Sequence, residues 1–302
     1  MLVWNPSEPF PAEFASTAVA IGNFDGVHRG HAEILRQLKG TGLKTVAFTF
    51  EPHPMQLLCP LTAPERLTWT ERKVELLEAQ GVDYVVICPT SLEMLHWSAS
   101  EFFDRVLRKA LRAKSVVEGC TFTFGRNREG SPQTLLRLCQ EHGLQAHIVD
   151  SQRLRGETIS SSRVRRILRD GDIALANEML TAPYRIRGKV VRGERRGRLL
   201  GFPTANLADV DTLLPAFGAY AGRAYTEYGT HAAAICIGPN VTFQEDTPKV
   251  EIHLLDFTGN LYGKTLQVEF LAHLRPLTQF SSPEALMAQL KQDVADVRAL
   301  VG

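Results

Sequence analysis

His28 and His31, three residues apart with Gly30 between them, are the first residues in this chain whose types and spacing suit a reaction. They follow the turn Gly22-Asn23-Phe24-Asp25-Gly26, which in turn follows the apolar run Ala18-Val19-Ala20-Ile21. A buried strand, a glycine turn and a helix start make an anion site, because unpaired N–H groups and the helix dipole favour negative charge there. The spacing places both imidazoles on one face of the first helical turn. Gly30 removes a side chain where a phosphate would approach the backbone. Imidazole N–H groups aimed at a triphosphate position it and stabilise charge that develops at the α-phosphorus. Taken alone, the pair also fits two satisfied histidines at a helix start.

Four further stretches carry candidate chemistry. In Ile159-Ser160-Ser161-Ser162-Arg163-Val164-Arg165, Ser161 and Ser162 offer hydroxyls and N–H groups at a helix start, and Arg165 offers a guanidinium for a departing pyrophosphate. The same serines also suit a plain helix cap. From Gly188 and Lys189 through Gly193, Gly197 and Gly201 to Thr204 and Asn206, glycines and arginines form a segment ending in Gly201-Phe202-Pro203-Thr204-Ala205-Asn206. Thr204 and Asn206 supply the oxygen ligands a hard Mg²⁺ requires. In Val250-Glu251-Ile252-His253-Leu254-Leu255-Asp256-Phe257, Glu251 is a carboxylate among apolar strand neighbours, either solvent-facing or a general base. The loop Gly119-Cys120-Thr121-Phe122-Thr123-Phe124-Gly125 follows a strand and offers Thr121 and Phe124 to a ligand, or is an ordinary surface turn. Gly125 to Gly130 has P-loop glycine spacing, but Ser131-Pro132 follows and no Lys does, which excludes a Walker site.

The elements that position these groups change character along the chain. In the first half, strands at 44–50, 84–88 and 115–118 alternate with helices at 70–80, from the Ser98–Glu101 capping box through Leu111, and from Ser131-Pro132 to about His142. This alternation predicts a parallel, doubly wound sheet. Glu51-Pro52-His53-Pro54 forms a rigid turn at a strand end. A short helix from Gly171 stops at Thr181-Ala182-Pro183, which marks a domain junction. Beyond it, short runs at 184–191, 219–225, 232–237, 250–257 and 265–271 predict a small antiparallel barrel, and Ser282-Pro283 opens a terminal helix. The predicted domains are 1–182 and 183–302.

A chain of 302 residues, 44% of them hydrophobic, fits two globular domains. A net charge of +1 gives no global case for nucleic-acid or anionic-membrane binding. Five scattered cysteines without a Cys-x-x-Cys pair fit reduced thiols rather than a disulfide frame or zinc site. No opening signal peptide and no apolar run near the roughly 18 residues of a membrane span are read, so a cytoplasmic protein with no membrane partner is expected.

His-x-Gly-His after a strand is shared by the nucleotidylyltransferases and the class I aminoacyl-tRNA synthetases. The longer run from Gly22 to His31 resembles the N-terminal module of the bacterial bifunctional riboflavin kinase/FMN adenylyltransferases. The Ser160–Arg165 stretch resembles that family's second ATP motif, with Ser162 in place of the usual Thr. Gly201–Asn206 matches the Gly-x-Pro-Thr-Ala-Asn string of riboflavin kinases. Leu261-Tyr262-Gly263-Lys264 and Arg275-Pro276-x-x-x-Phe280 follow the same pattern. The resemblance implies a Rossmann-like nucleotidylyltransferase domain followed by a riboflavin-kinase barrel, with ATP as co-substrate, Mg²⁺, and riboflavin and FMN as partners. It implies that Gly22, Asn23, Phe24, Asp25, His28, His31, Ser161, Ser162 and Arg165 bind the adenylylating ATP, and that Thr121 and Phe124 face FMN. It implies further that Gly188, Lys189, Gly193, Gly197, Gly201, Thr204 and Asn206 bind the second ATP, Thr204 and Asn206 through Mg²⁺. Glu251 would be the base and Arg275 a flavin contact.

Three further positions depart from the family. Thr121 stands where Asn or Asp is common, Thr123 where Arg is frequent, and Val241 where Pro usually precedes Thr-Phe. Rival readings are a chain with one competent half, an RNA enzyme resembling the synthetases, and a non-catalytic flavin-binding module. The RNA reading draws on the arginine-rich loop, which lacks the aromatic platform that single strands stack on.

Overall fold

The computed structural model describes residues 2–3, 16–194, 197, 201–239 and 248–301. Arg195, Arg196 and Arg198 of the arginine-rich loop, and Val241-Thr242-Phe243, lie outside the described residues. The chain divides into two compact units, one of residues 1–65 and 70–160, the other of residues 66–69 and 161–302.

The first unit is a six-stranded, all-parallel sheet in the order β1-β4-β3-β2-β5-β6. Its strands are β1 (Leu2–Val3), β2 (Thr17–Ile21), β3 (Lys44–Glu51), β4 (Tyr84–Pro89), β5 (Ala113–Gly119) and β6 (Gln145–Val149). The central strands are buried along most of their length, with side chains of both faces covered by helices. On one side lies α1 (Arg29–Gly40), burying Leu35 and Leu38. On the other, Val19, Ile21, Val46, Phe48 and Val116 share a core with Met94, Phe102, Phe103, Val106, Leu107, Leu135 and Leu138. The helices of this unit after α1 are α2 (Pro54–Leu58), α3 (Thr70–Ala79), α4 (Leu92–Leu95), α5 (Ala99–Phe102) and α6 (Pro132–Glu141). The capping box forms as read: Ser98 Oγ accepts from Glu101 N–H while the Glu101 carboxylate accepts from Ser98 N–H. The helix it opens continues as a π-helical stretch over Phe103–Ala110, which periodicity alone did not predict. Ser131 likewise caps α6, accepting from Thr134 N–H. A small hairpin, β7 (Arg153–Leu154) and β8 (Glu157–Thr158), ends the unit.

Strand order reverses between β2 and β5, since β2, β3 and β4 run outward one way and β5 and β6 the other. Ligands of open parallel sheets sit at the carboxyl ends of strands flanking such a reversal. The loops that follow these two strands hold His28 and Thr121.

In the second unit, α7 (Ser161–Arg169) and α8 (Ile173–Met179) precede a closed six-stranded barrel. Its strands are β9 (Arg185–Val191), β10 (Ala205–Ala208), β11 (Gly218–Thr226), β12 (Gly229–Gly238), β13 (Lys249–Leu254) and β14 (Thr265–Arg275). Every pair is antiparallel, in the cyclic order β10-β13-β12-β11-β14-β9. Ile186, Tyr220, Ile235, Ile252, Val268 and Phe270 fill the interior. α9 (Pro283–Val301) packs against β11, β12 and β14, with Val297 buried beside Ala221 and Leu255. The strand expected to reach Phe257 stops at Leu254, and Asp256 takes a left-handed φ of 55° in the turn that follows.

Candidate active sites

In the first unit the turn after β2 is strained. Phe24, Gly26 and Val27 have φ values of 45°, 83° and 41°, and a β-branched residue rarely adopts that region. Gly22 N–H donates to the Phe48 carbonyl at 3.0 Å, anchoring the turn to β3. Extended backbone at His28 makes it the N-cap of α1, and its Nδ1 accepts from His31 N–H at 3.3 Å. That bond leaves the proton of a neutral His28 ring on Nε2. The two rings stack with centroids 3.6 Å apart and planes at 15°, and Phe24 meets His31 edge-on at 5.2 Å. Burial lowers the His28 pKa to about 4. Burial, then the neighbouring His28 and Lys73, hold His31 well below the usual imidazole range. Both rings are therefore neutral near pH 7, and each can donate one N–H. Asn23 Oδ1 and His31 Nδ1 are buried and have no hydrogen-bond partner among the described residues. Gly30 approaches His28 so closely that a Cβ there would lie 3.1 Å from the ring.

Two buried groups at this sheet edge escaped sequence reasoning. Glu118, near the end of β5, is 2% exposed and accepts from Ile21 N–H at 2.6 Å. It supplies an acceptor beyond Val19–Val116, the last register pair of β2 and β5. Burial raises its pKa well above the usual carboxylate range, so it is held protonated. Lys73 on α3 is 6% exposed, with Nζ 3.4 Å from Thr49 Oγ1. Its signal was present: Lys73 lies three and four residues before Leu76 and Leu77, on the helix's buried face.

In the loop after β5, Thr121 is exposed and Phe124 is buried in the core. The half-buried Phe122 stacks on Phe124 at 5.3 Å and is the more accessible ring. Arg128 Nε donates to Thr123 Oγ1 at 2.9 Å, so an arginine does reach this loop, from five residues downstream.

Ser161, Ser162 and Arg165 open α7, which clusters with the second unit, and Arg163 and Arg165 are each 7% exposed. In the barrel, the glycine-rich motif straddles two strands. Gly188 and Lys189 belong to β9, and Ala205-Asn206 opens β10. Asn206 pairs with Glu251 across β10 and β13, and Glu251 with Cys236 across β13 and β12. Directly opposed residues share one face of a sheet, so the three form a row. Gly193 packs so tightly on Asn206 that a Cβ would lie 2.5 Å from its amide nitrogen, and Phe202 N–H closes onto the Gly197 carbonyl at 2.8 Å. Exposed Gly201 has a left-handed φ of 85°.

Thr204, Cys236, Glu251, Arg275, Leu286 and Leu290 help line a barrel cavity of about 160 Å³. The Arg275 guanidinium is held by the buried Asp293 carboxylate through bonds of 3.0 and 2.7 Å. Burial, and then the Glu251 charge, push the Cys236 thiol up to about 11. No group of three or more His, Cys, Asp and Glu able to hold a metal occurs among the described residues. Thr204, Asn206 and Glu251 nevertheless offer oxygen donors, the set that fits an Mg²⁺ carried in by phosphate oxygens and water.

Comparison with known proteins falls along the same division. Residues 11–163 match the FAD synthetase family and residues 180–301 the riboflavin kinase family. A bifunctional riboflavin kinase/FMN adenylyltransferase from Listeria monocytogenes is 35% identical over 288 residues, covering 93% of this chain and 91% of its own length. Its counterpart from Escherichia coli K12 is 35% identical over 289 residues, covering 94% and 92%. A crystal structure described as a macrolide-efflux protein from Streptococcus pneumoniae superposes with a TM-score of 0.86 at 29% identity, covering 99% of both chains. In the present chain no helix among the described residues is long and apolar enough to cross a membrane.

Proposed function

The chain belongs to the bifunctional riboflavin kinase/FMN adenylyltransferase family, and from that premise we propose which of its residues carry each reaction. The enzyme phosphorylates riboflavin with ATP to give FMN and ADP, and then joins FMN to a second ATP to give FAD and pyrophosphate. We assign residues 1–182 to adenylyl transfer and 183–302 to phosphorylation, following the two family matches.

In the barrel, the Glu251 carboxylate takes the proton of the riboflavin 5′-hydroxyl as that oxygen attacks the γ-phosphorus of ATP. Its place on the cavity wall beside Asn206 supports this role. Thr204 and Asn206 hold phosphate oxygens and Mg²⁺, while Gly188, Lys189, Gly193, Gly197 and Gly201 form the nucleotide cover. Arg275, oriented by Asp293, contacts the flavin. Thr204 and Asn206 would hold Mg²⁺, which would supply neutralisation of the phosphate charge.

In the sheet unit, an FMN phosphate oxygen forms a bond to the α-phosphorus of ATP as the bond to pyrophosphate breaks. His28 donates from Nε2 and His31 from its own ring nitrogen; for Ser161, Ser162 and Arg165 the family's second ATP motif supports a role in binding pyrophosphate. Gly22, Asn23, Phe24 and Asp25 shape the nucleotide turn, Thr121 serves the flavin side, and the buried Phe124 backs that loop through its stack on Phe122. The neutral, stacked imidazole pair at the sheet's reversal point is the observation that carries this reading. Five free cysteines support a reducing, cytoplasmic setting.

Chromatography of products from riboflavin and MgATP tests the assignment. The wild type should accumulate FMN and then FAD. His28→Ala should stop at FMN, and Glu251→Ala should make no FMN from riboflavin yet still convert supplied FMN to FAD. Loss of both steps in either variant would refute the division of labour.

A further inference from the structure

We propose that Lys73 is the cation that binds the transferred α-phosphoryl group during adenylyl transfer, an inference that rests on the function assigned above. Lys73 is 6% exposed, and its Nζ lies 3.4 Å from Thr49 Oγ1 near the carboxyl end of β3. The Thr49 hydroxyl in turn donates to the Asn23 carbonyl at 3.2 Å. A hydrogen-bonded chain therefore runs from the ammonium through β3 into the turn that carries His28 and His31. Thr49 fixes one direction of an ammonium that has three N–H donors.

The chemistry of the step calls for such a charge. Negative charge on the oxygens around the α-phosphorus must be matched as pyrophosphate departs, and preorganised cations do this best in a site shielded from water. The stacked imidazoles cannot supply it, because both are neutral near pH 7. Lys73 itself helps keep His31 neutral. The site thus separates two duties: the imidazoles donate directional hydrogen bonds, and the lysine supplies the net charge.

The test uses the full-length enzyme, with riboflavin phosphorylation as an internal control for folding. Lys73→Met keeps the aliphatic stem and removes the charge; Lys73→Arg keeps the charge. With MgATP and FMN, the kcat for FAD formation should fall about 10²-fold or more in Lys73→Met, the loss typical of removing one stabilising group from a transition state. KM for FMN should change little, Lys73→Arg should recover most of the rate, and riboflavin phosphorylation should be unchanged in both variants. A Lys73→Met enzyme that makes FAD at the wild-type rate would overturn the assignment. So would a Lys73→Arg enzyme as slow as Lys73→Met, which would indicate a packing role. If the wild-type chain itself made no FAD from FMN, the adenylyl-transfer reading would fall and the lysine's role with it.

Discussion

Acid should destabilise the sheet unit through His28, and burial of the ring sets the sign of the effect. The ring titrates near pH 6.5 when exposed but at about 4 in the folded protein, because burial disfavours the imidazolium. As pH falls below 6.5 the unfolded chain takes up a proton that the folded chain refuses. Stability from this residue is therefore intact above pH 6.5, declines towards pH 4, and levels off below it. A gap of roughly 2.5 pH units corresponds to about 3 kcal/mol. The ring is only 7% exposed, so solvent screening removes little of this. His31 acts in the same direction, which makes His28→Asn the informative comparison. Asn can still accept from His31 N–H at the α1 N-cap but cannot be protonated. Native-state amide exchange of α1, followed from pH 7 to pH 4 and corrected for intrinsic rates, should show the wild type losing about 3 kcal/mol more than the variant. Parallel decline in the two proteins would refute a neutral His28 in the folded state.

Three other substitutions probe two buried carboxyl groups. Folding forces Glu118 to keep a proton that the unfolded chain releases as pH rises through the usual carboxylate range, so its contribution worsens with rising pH. Glu118→Gln, which keeps the acceptor for Ile21 N–H, should raise the thermal midpoint at pH 7 and not at pH 4, whereas Glu118→Ala should cost about 1–3 kcal/mol by leaving that N–H unsatisfied. In the barrel, Asp293→Ala leaves the Arg275 guanidinium without its buried partner and should destabilise that unit by about 3 kcal/mol in denaturant melts; an unchanged midpoint would remove the pair from the account of barrel stability.

The parts legible from sequence are those in which a local pattern coincides with a global role. The apolar run before Gly22, the Ser98 and Ser131 caps and the short barrel runs each declare themselves within a few residues and form there, except that the run from Val250 ends at Leu254 rather than Phe257. The groups missed depend on distant partners. Glu118 reads as one more strand residue until β2 parts from β5 and leaves Ile21 N–H without a strand partner. Lys73 reads as surface charge on an amphipathic helix, although its spacing from Leu76 and Leu77 already turns it inward. Phe124 illustrates the reverse: its loop position makes it a candidate contact, while its neighbours Phe102 and Phe122 draw it into the core. The barrel strand β10 was hidden because its motif is rich in glycine and proline before the pairing residues begin.

Residues 66–69 belong to the barrel's compact unit although both flanking segments belong to the sheet's. Within that unit, the Arg66 carbonyl accepts from Leu213 N–H at 2.8 Å, and the Arg187 guanidinium lies 5.1 Å from the Trp69 ring. The polypeptide therefore visits the kinase half twice, first as a four-residue thread and later for good. A kinase fragment excised after residue 160 or 182 would be missing a piece of its own wall. Separating the two catalysts cleanly would require grafting that thread back, or repairing the gap it leaves beside Arg187 and Leu213.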